Sequence, residues 1–316
     1  MKKKSKITRF FLVAFFSLVP SLLLCLQGQD RQTANNSVSI EVLMTDRMFG
    51  DFKPGSGFIK SIDITSERFI LLSAPDQYYV LGWGGIVPLG GRINGEIQSF
   101  AYTPDGLLLT VRGNDLCSFD DNGNLTPLIR LPLSGMGISA GKEVMYLFDS
   151  GKDQKTHPLY VFAREGKYMK LIEVPDPIAS VAETDDEVLL AAGSKLYGVN
   201  PATKEVKLLF AEENGGKILS VATDRSNGIS YFSTADRVYA IRDLNLAAVA
   251  EKTGGILKYY NGLIVFNPET RQVIRILGLE KELVARTEKP GEVTFKQGPV
   301  AQAGNTAQVP QAAVAQ

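Results

Sequence analysis

A four-residue pattern, Ile-x-Ser followed by an apolar residue, returns through most of the chain at intervals close to forty residues. It reads Ile59-Lys60-Ser61-Ile62, Ile97-Gln98-Ser99-Phe100, Ile178-Ala179-Ser180-Val181 and Ile218-Leu219-Ser220-Val221. Successive starts are 38, 81 and 40 residues apart, and the 81 is two periods filled by a looser copy, Met136-Gly137-Ile138-Ser139. A sixth, altered copy, Ile256-Leu257-Lys258-Tyr259, follows 38 residues after the fifth. Self-similarity at this period marks a repeat architecture, because one such unit cannot bury its apolar face alone and must stack on its neighbours.

Each copy runs through the same events: an apolar strand, a polar turn, a second apolar strand, a loop, then a hairpin. The turns, such as Thr65-Ser66-Glu67-Arg68 and Thr103-Pro104-Asp105-Gly106, hold residues that tolerate tight reversals. The second strands, such as Leu107 to Val111 and Val144 to Phe148, are nearly continuous in apolar residues, as strands covered on both faces require. Four short strands per repeat of about forty residues predict an all-β chain folded as a β-propeller of six blades. The sixth copy is shorter, with 7 residues from Ile256 to Leu263 where Ile178 to Leu196 has 18. One strand is missing there, and the alternating segment Ser37 to Leu43 is the candidate to supply it and close the ring.

On these turns the chain resembles the six-bladed propeller superfamily of exported bacterial proteins, of the NHL-repeat and TolB-like type. Thr103-Pro104-Asp105-Gly106 is similar to the turn between inner strands of those repeats. The Asn200-Pro201-Ala202-Thr203 and Asn267-Pro268-Glu269-Thr270 hairpins resemble turns of quinoprotein and outer-membrane assembly propellers. The resemblance covers residues 57 to about 280 and implies a fold; such turns satisfy backbone geometry and carry no chemistry.

The ends of the chain read differently. Lys2, Lys3, Lys4, Lys6 and Arg9 precede the apolar run Phe10 to Leu26, the order of an export signal. Residues 1–28 are therefore expected to be a signal peptide or, if uncleaved, a membrane anchor, placing the protein in the periplasm, at the cell envelope or outside the cell. Cys25, after Leu22-Leu23-Leu24, resembles the lipidated Cys of a bacterial lipoprotein but lacks the small residue expected before it. It is either a lipid site or part of the apolar run. Residues 29–36 form a polar linker, 37–280 the propeller, and 281–316, rich in Ala, Gln, Pro and Val, an expected disordered tail.

Charge narrows the partners. The chain carries 34 Lys and Arg against 34 Asp and Glu; removing the signal takes five cations and leaves 29 against 34. This balance gives no case for nucleic acid. Membrane contact is confined to the N-terminal segment or a lipid on Cys25.

No catalytic residue is assigned. The one histidine, His157, excludes sites needing two imidazoles, and no Gly-x-Ser-x-Gly elbow accompanies it. The connection between second and third strands is short in the other complete copies but runs from Asp149 to Pro158 in the third. An elongated loop on one blade is a place for a binding surface, so Lys152, Asp153, Lys155 and His157 are candidate binding residues. Trp83 is either an exposed aromatic anchor or a packing residue at the end of a third strand. The leading expectation is a non-enzymatic binding or scaffold module. It would use the loops of one propeller face to take an envelope or extracellular protein, peptide or glycan, without a cofactor. The alternative is a calcium-dependent hydrolase or lactonase similar to the gluconolactonase and regucalcin propellers. In that reading Asp76, Asp115, Asp153 and Asp236, on the same face, would supply the oxygen ligands that Ca²⁺ prefers.

Overall fold

The computed structural model describes residues 38–280 except 46–47, 49–58, 66–68, 83–84, 121, 152–153, 164–166, 214 and 244. The expected signal segment with Cys25, the linker and the tail lie outside the described residues.

The first strand, β1 (Ser39–Met44), stands apart in sequence from the blade it joins. Blade I contains β2 (Ser61–Ile64), β3 (Ile70–Ser73), β4 (Tyr78–Gly82) and β5 (Gly85–Leu89). Blade II contains β6 (Ser99–Tyr102), β7 (Leu108–Arg112), β8 (Asp115–Phe119) and β9 (Leu125–Arg130). In blade III come β10 (Gly137–Ala140), β11 (Met145–Phe148), β12 (His157–Phe162) and β13 (Tyr168–Val174). Blade IV follows with β14 (Ile178–Glu183), β15 (Val188–Ala192), β16 (Lys195–Val199) and β17 (Val206–Ala211). Blade V has β18 (Ser220–Asp224), β19 (Ile229–Ser233), β20 (Arg237–Arg242) and β21 (Asn245–Glu251). Blade VI has β22 (Ile256–Tyr259), β23 (Leu263–Asn267) and β24 (Gln272–Leu277), with β1 as its outermost strand.

The chain is thus a six-bladed β-propeller of six four-stranded antiparallel sheets. β1 pairs with β24, Ser39 opposite Leu277 and Val42 opposite Ile274, which supplies the strand missing from the short last copy. The structure moves one detail. Asn267-Pro268-Glu269-Thr270 joins the second and third strands of blade VI, whereas Asn200-Pro201-Ala202-Thr203 joins the third and fourth of blade IV. Both turns are the same local device. The Asn side-chain oxygen accepts two backbone N–H groups, from Ala202 and Thr203 in one and from Glu269 and Thr270 in the other. Such a turn fits any antiparallel connection, so its sequence does not say which connection it makes.

The core is divided into six slabs, one between each pair of adjacent blades. Leu71 faces blade II with Tyr78 and Phe100, while Ile70 and Leu72 face blade VI with Ile264 and Phe266. Successive residues of a strand point to opposite faces, and both faces are covered, so the second strands are apolar at nearly every position.

The repeated motif now has a physical meaning. Its first residue, Ile59, Ile97, Met136, Ile178 or Ile218, is buried. Its Ser reaches across to the inner strand of the next blade. Ser99 Oγ accepts the N–H of Ile138 at 3.1 Å, Ser180 Oγ that of Val221 at 3.2 Å, and Ser220 Oγ that of Leu257 at 2.9 Å. Ser139 works in the other sense and donates to the Val181 carbonyl at 2.7 Å. A hydroxyl suits this place because it can accept or donate while occupying little room beside the axis. The repeated Thr of the first turns acts similarly within a blade, Thr65, Thr103 and Thr184 each accepting a backbone N–H from the far side of the turn.

Candidate functional site

Alternation of strand direction sorts the connections onto two faces. Turns between first and second strands lie at one end of the channel. Loops between second and third strands lie at the other, with the connections between blades. Backbone bonds tie these latter two sets together: Ile97 N–H to the Pro75 carbonyl, Ile178 N–H to Asp149, and Thr253 N–H to Asp236. The first end is called here the turn face and the second the loop face.

On the loop face, the elongated connection of blade III comprises residues 149–156, eight residues against two to four elsewhere. Its base is locked. Asp149 and His157 are 3% and 1% exposed, and His157 Nδ1 lies 2.9 Å from Asp149 Oδ2. Asp149 Oδ1 accepts the Gly151 N–H, and its backbone bonds to Pro158 and Ile178 fix both flanks. His157 therefore does not present itself to a partner. It is the first residue of β12, paired with Val174, and its ring turns inward to hold the loop closed. Gln154, Lys155 and Thr156 are exposed beyond this clamp. Lys152, Asp153 and Trp83 lie outside the described residues.

The carboxylates expected on the same face are there but do not converge. Asp76 Oδ2 faces Arg92 at 3.4 Å, and Asp176 Oδ2 faces Lys195 at 3.2 Å. Asp236 accepts the Thr234 hydroxyl at 2.9 Å, while Glu212 accepts the Tyr239 hydroxyl at 3.2 Å. Asp115 begins β8 opposite Arg130. Among the described residues no three His, Cys, Asp or Glu side chains are placed to hold a metal ion. Calcium needs six or more oxygens around one point, so Asp76, Asp115 and Asp236 do not fit a shared ion. The channel mouth on this face is a small cavity of about 200 Å³ with Lys60, Ser61, Gln98 and Ser150 in its wall.

The larger cavity, about 450 Å³, opens on the turn face among the ends of the inner strands, a location that sequence reasoning missed. It is charged and internally compensated. Lys258 Nζ lies 3.0 Å from Asp63 Oδ1, and Asp63 also accepts the N–H groups of Ile64 and Tyr102. Glu183 Oε2 accepts from Arg225 at 3.1 Å and from the Lys142 N–H, joining blades III, IV and V. Asp224, 1% exposed, accepts from the Ser226 hydroxyl and the Asn227 amide, and also from the Tyr259 hydroxyl. Burial works against its charge, but these hydrogen bonds outweigh it and hold its pKa below the ordinary 3.8. Burial first pushes the phenols of Tyr146, Tyr231 and Tyr259 upward, helped by Glu183 at Tyr146, by Asp224 at Tyr259 and by the neighbouring Tyr259 at Tyr231, so all three stay neutral. Every carboxylate here braces neighbouring blades.

One signal was available. Lys258 stands where the other copies carry Ser or, in the looser third, Ile138, and it marks the one seam of the ring that joins the last blade to the first.

No protein-family model and no curated sequence matches the chain. Solved structures match its fold. A gluconolactonase from Xanthomonas campestris aligns over 69% of this chain and 86% of its own, with a TM-score of 0.56 and 12% identity. A chain of the nidogen/laminin complex aligns over 69% and 89%, at 0.55 and 13%. The WD40 repeats of RRP9 align over 75% and 96%, at 0.50 and 11%. One of these is named an enzyme and another is part of a protein complex, so the likeness carries the architecture and no activity.

Proposed function

We propose that the protein is an exported, non-enzymatic binding propeller that engages an envelope or extracellular protein, peptide or glycan through its loop face. The observation that carries this reading is the blade III loop. A buried Asp149–His157 clamp anchors it, and it projects Gln154, Lys155 and Thr156 from a rigid base. Binding residues gain by such mounting, since a loop ordered beforehand loses less entropy on association. The described acidic groups of the same face lie apart, with Asp76, Asp176, Glu212 and Asp236 each turned to a local partner, which weighs against the calcium-dependent hydrolase.

Crosslinking in intact cells, then purification under denaturing conditions and mass spectrometry, tests the reading. A reproducible partner joined through Lys155, lost when Gln154, Lys155 and Thr156 are replaced by Ala, is the expected result. If no partner is captured and the purified protein gains thermal stability from Ca²⁺, the binding reading fails and the hydrolase takes its place.

A further inference from the structure

The cavity on the turn face carries a charge that its own residues leave unbalanced. Its wall, drawn from five of the six blades, holds three carboxylates, Asp63, Glu183 and Asp224, against two cations, Arg225 and Lys258. Lys258 is committed to Asp63 at 3.0 Å and Arg225 to Glu183 at 3.1 Å. Asp224 is the least exposed of the three carboxylates, and its donors, the Ser226 hydroxyl, the Asn227 amide and the Tyr259 hydroxyl, are all neutral. Neutral donors spread a charge without cancelling it, and a carboxylate taken out of water is ordinarily matched by a cation. Glu280, just beyond β24, adds a further negative charge close to Tyr231 and Tyr259.

The surroundings carry the same sign. Outside the wall, the described turns that ring the mouth supply Asp105, Glu143, Asp185, Asp186 and Glu187 against one cation, Lys142. Such a field concentrates cations at the opening. Spacing and size then select the kind of cation. Among the described residues no three His, Cys, Asp or Glu side chains are placed to hold a metal ion, so a bare ion would find too few oxygens around one point. At about 450 Å³ the space falls in the range of small-molecule sites, roughly 300–1,000 Å³. An ammonium group needs only a few acceptors on one side, and Tyr259 and Tyr260 place aromatic rings in the wall, a surface that attracts organic cations.

We infer that the turn-face cavity is a binding site for a small organic ammonium ion, seated against Asp224. This inference is independent of the partner on the loop face. Isothermal titration calorimetry of the full-length protein with putrescine, at physiological ionic strength, tests it, with butanediol as a neutral probe of similar shape. The diamine is expected to bind and the diol to give no heat. Asp224→Asn should weaken putrescine binding about tenfold, and Lys258→Ala, which leaves Asp63 without its cation, should tighten it by a similar factor, the worth of one unit charge a few ångströms away in a partly solvated site. Loss of folding would weaken both, so only opposite signs support the site. No heat with putrescine, or equal affinity for the diol, overturns the inference. Putrescine binding that ignores Asp224→Asn overturns it too and assigns the diamine to the acidic surface outside the cavity.

Discussion

Lys258 and Asp63 meet at 3.0 Å across the seam where blade VI closes on blade I. They are 195 residues apart in sequence (258 − 63), and the inner-strand neighbours at the other boundaries are about forty apart. Lys258 holds the place that Ser220 and Ser180 hold in the preceding blades, so a charge replaces a hydroxyl at the one boundary where the first and last inner strands of the chain meet.

The two partners of this seam should not be equivalent. Lys258→Ala leaves Asp63 with two backbone donors, Ile64 and Tyr102, and should cost about 1 kcal/mol, since the ammonium is partly in solvent. Asp63→Ala also strips the Tyr102 N–H of its acceptor and should cost about 2–3 kcal/mol. Urea denaturation of both variants checks this, and equal losses would show that the ion pair alone sets the seam.

Ser220→Ala should destabilise by about 1–3 kcal/mol, because the Leu257 N–H loses its acceptor inside the protein. Ser139→Ala should cost less: there it is the Val181 carbonyl that loses a partner, beside a water-accessible cavity. Thermal unfolding of the pair gives the order, and a reversed order would contradict the latch.

Asp224 sets an acid limit. Its folded pKa lies below the ordinary 3.8, so the stability it contributes is fully present above that value and is lost as pH falls below it. The gap in stability between the wild-type protein and Asp224→Asn should therefore be wide at pH 6 and narrow steadily below pH ~3.8. A gap unchanged from pH 6 to pH 3 would mean that the carboxylate is not held by its donors.

His157→Ala removes the partner of a buried carboxylate and should cost about 2 kcal/mol or more. Its local effect is the sharper test. Amide exchange in residues 149–156 should accelerate more than in the β14 and β15 strands of blade IV, and partner capture through Lys155 should fall. A uniform acceleration across both blades would assign His157 to general packing.

The blade count and the closing role of the segment read as Ser37 to Leu43, here β1 (Ser39–Met44), were legible in the sequence, because the blades repeat a local pattern at a fixed interval and the short last copy leaves one strand to be supplied. The contents of the turn-face cavity were not. Asp63 and Glu183 look like ordinary strand-end carboxylates, and their roles come from partners roughly forty or more residues away; Asp224 takes local donors, Ser226 and Asn227, but its link to Tyr259 of the next blade is equally silent in sequence. His157 misled for a related reason: a histidine beside a long polar loop reads as exposed until Asp149 is seen to draw it inward. The Asn267 turn encodes a reversal and nothing about which two strands it reverses between.

The pairing of β1 with β24 also orders events in time. Residues 39–44 are made early and their partners, 272–277, among the last, so the ring stays open until nearly the whole chain is available. Contacts this distant in sequence form slowly. Any process that delivers the chain from its N-terminus onward must therefore hold blade VI incomplete until residues 272–277 arrive, which keeps β1 without its partner for most of that time.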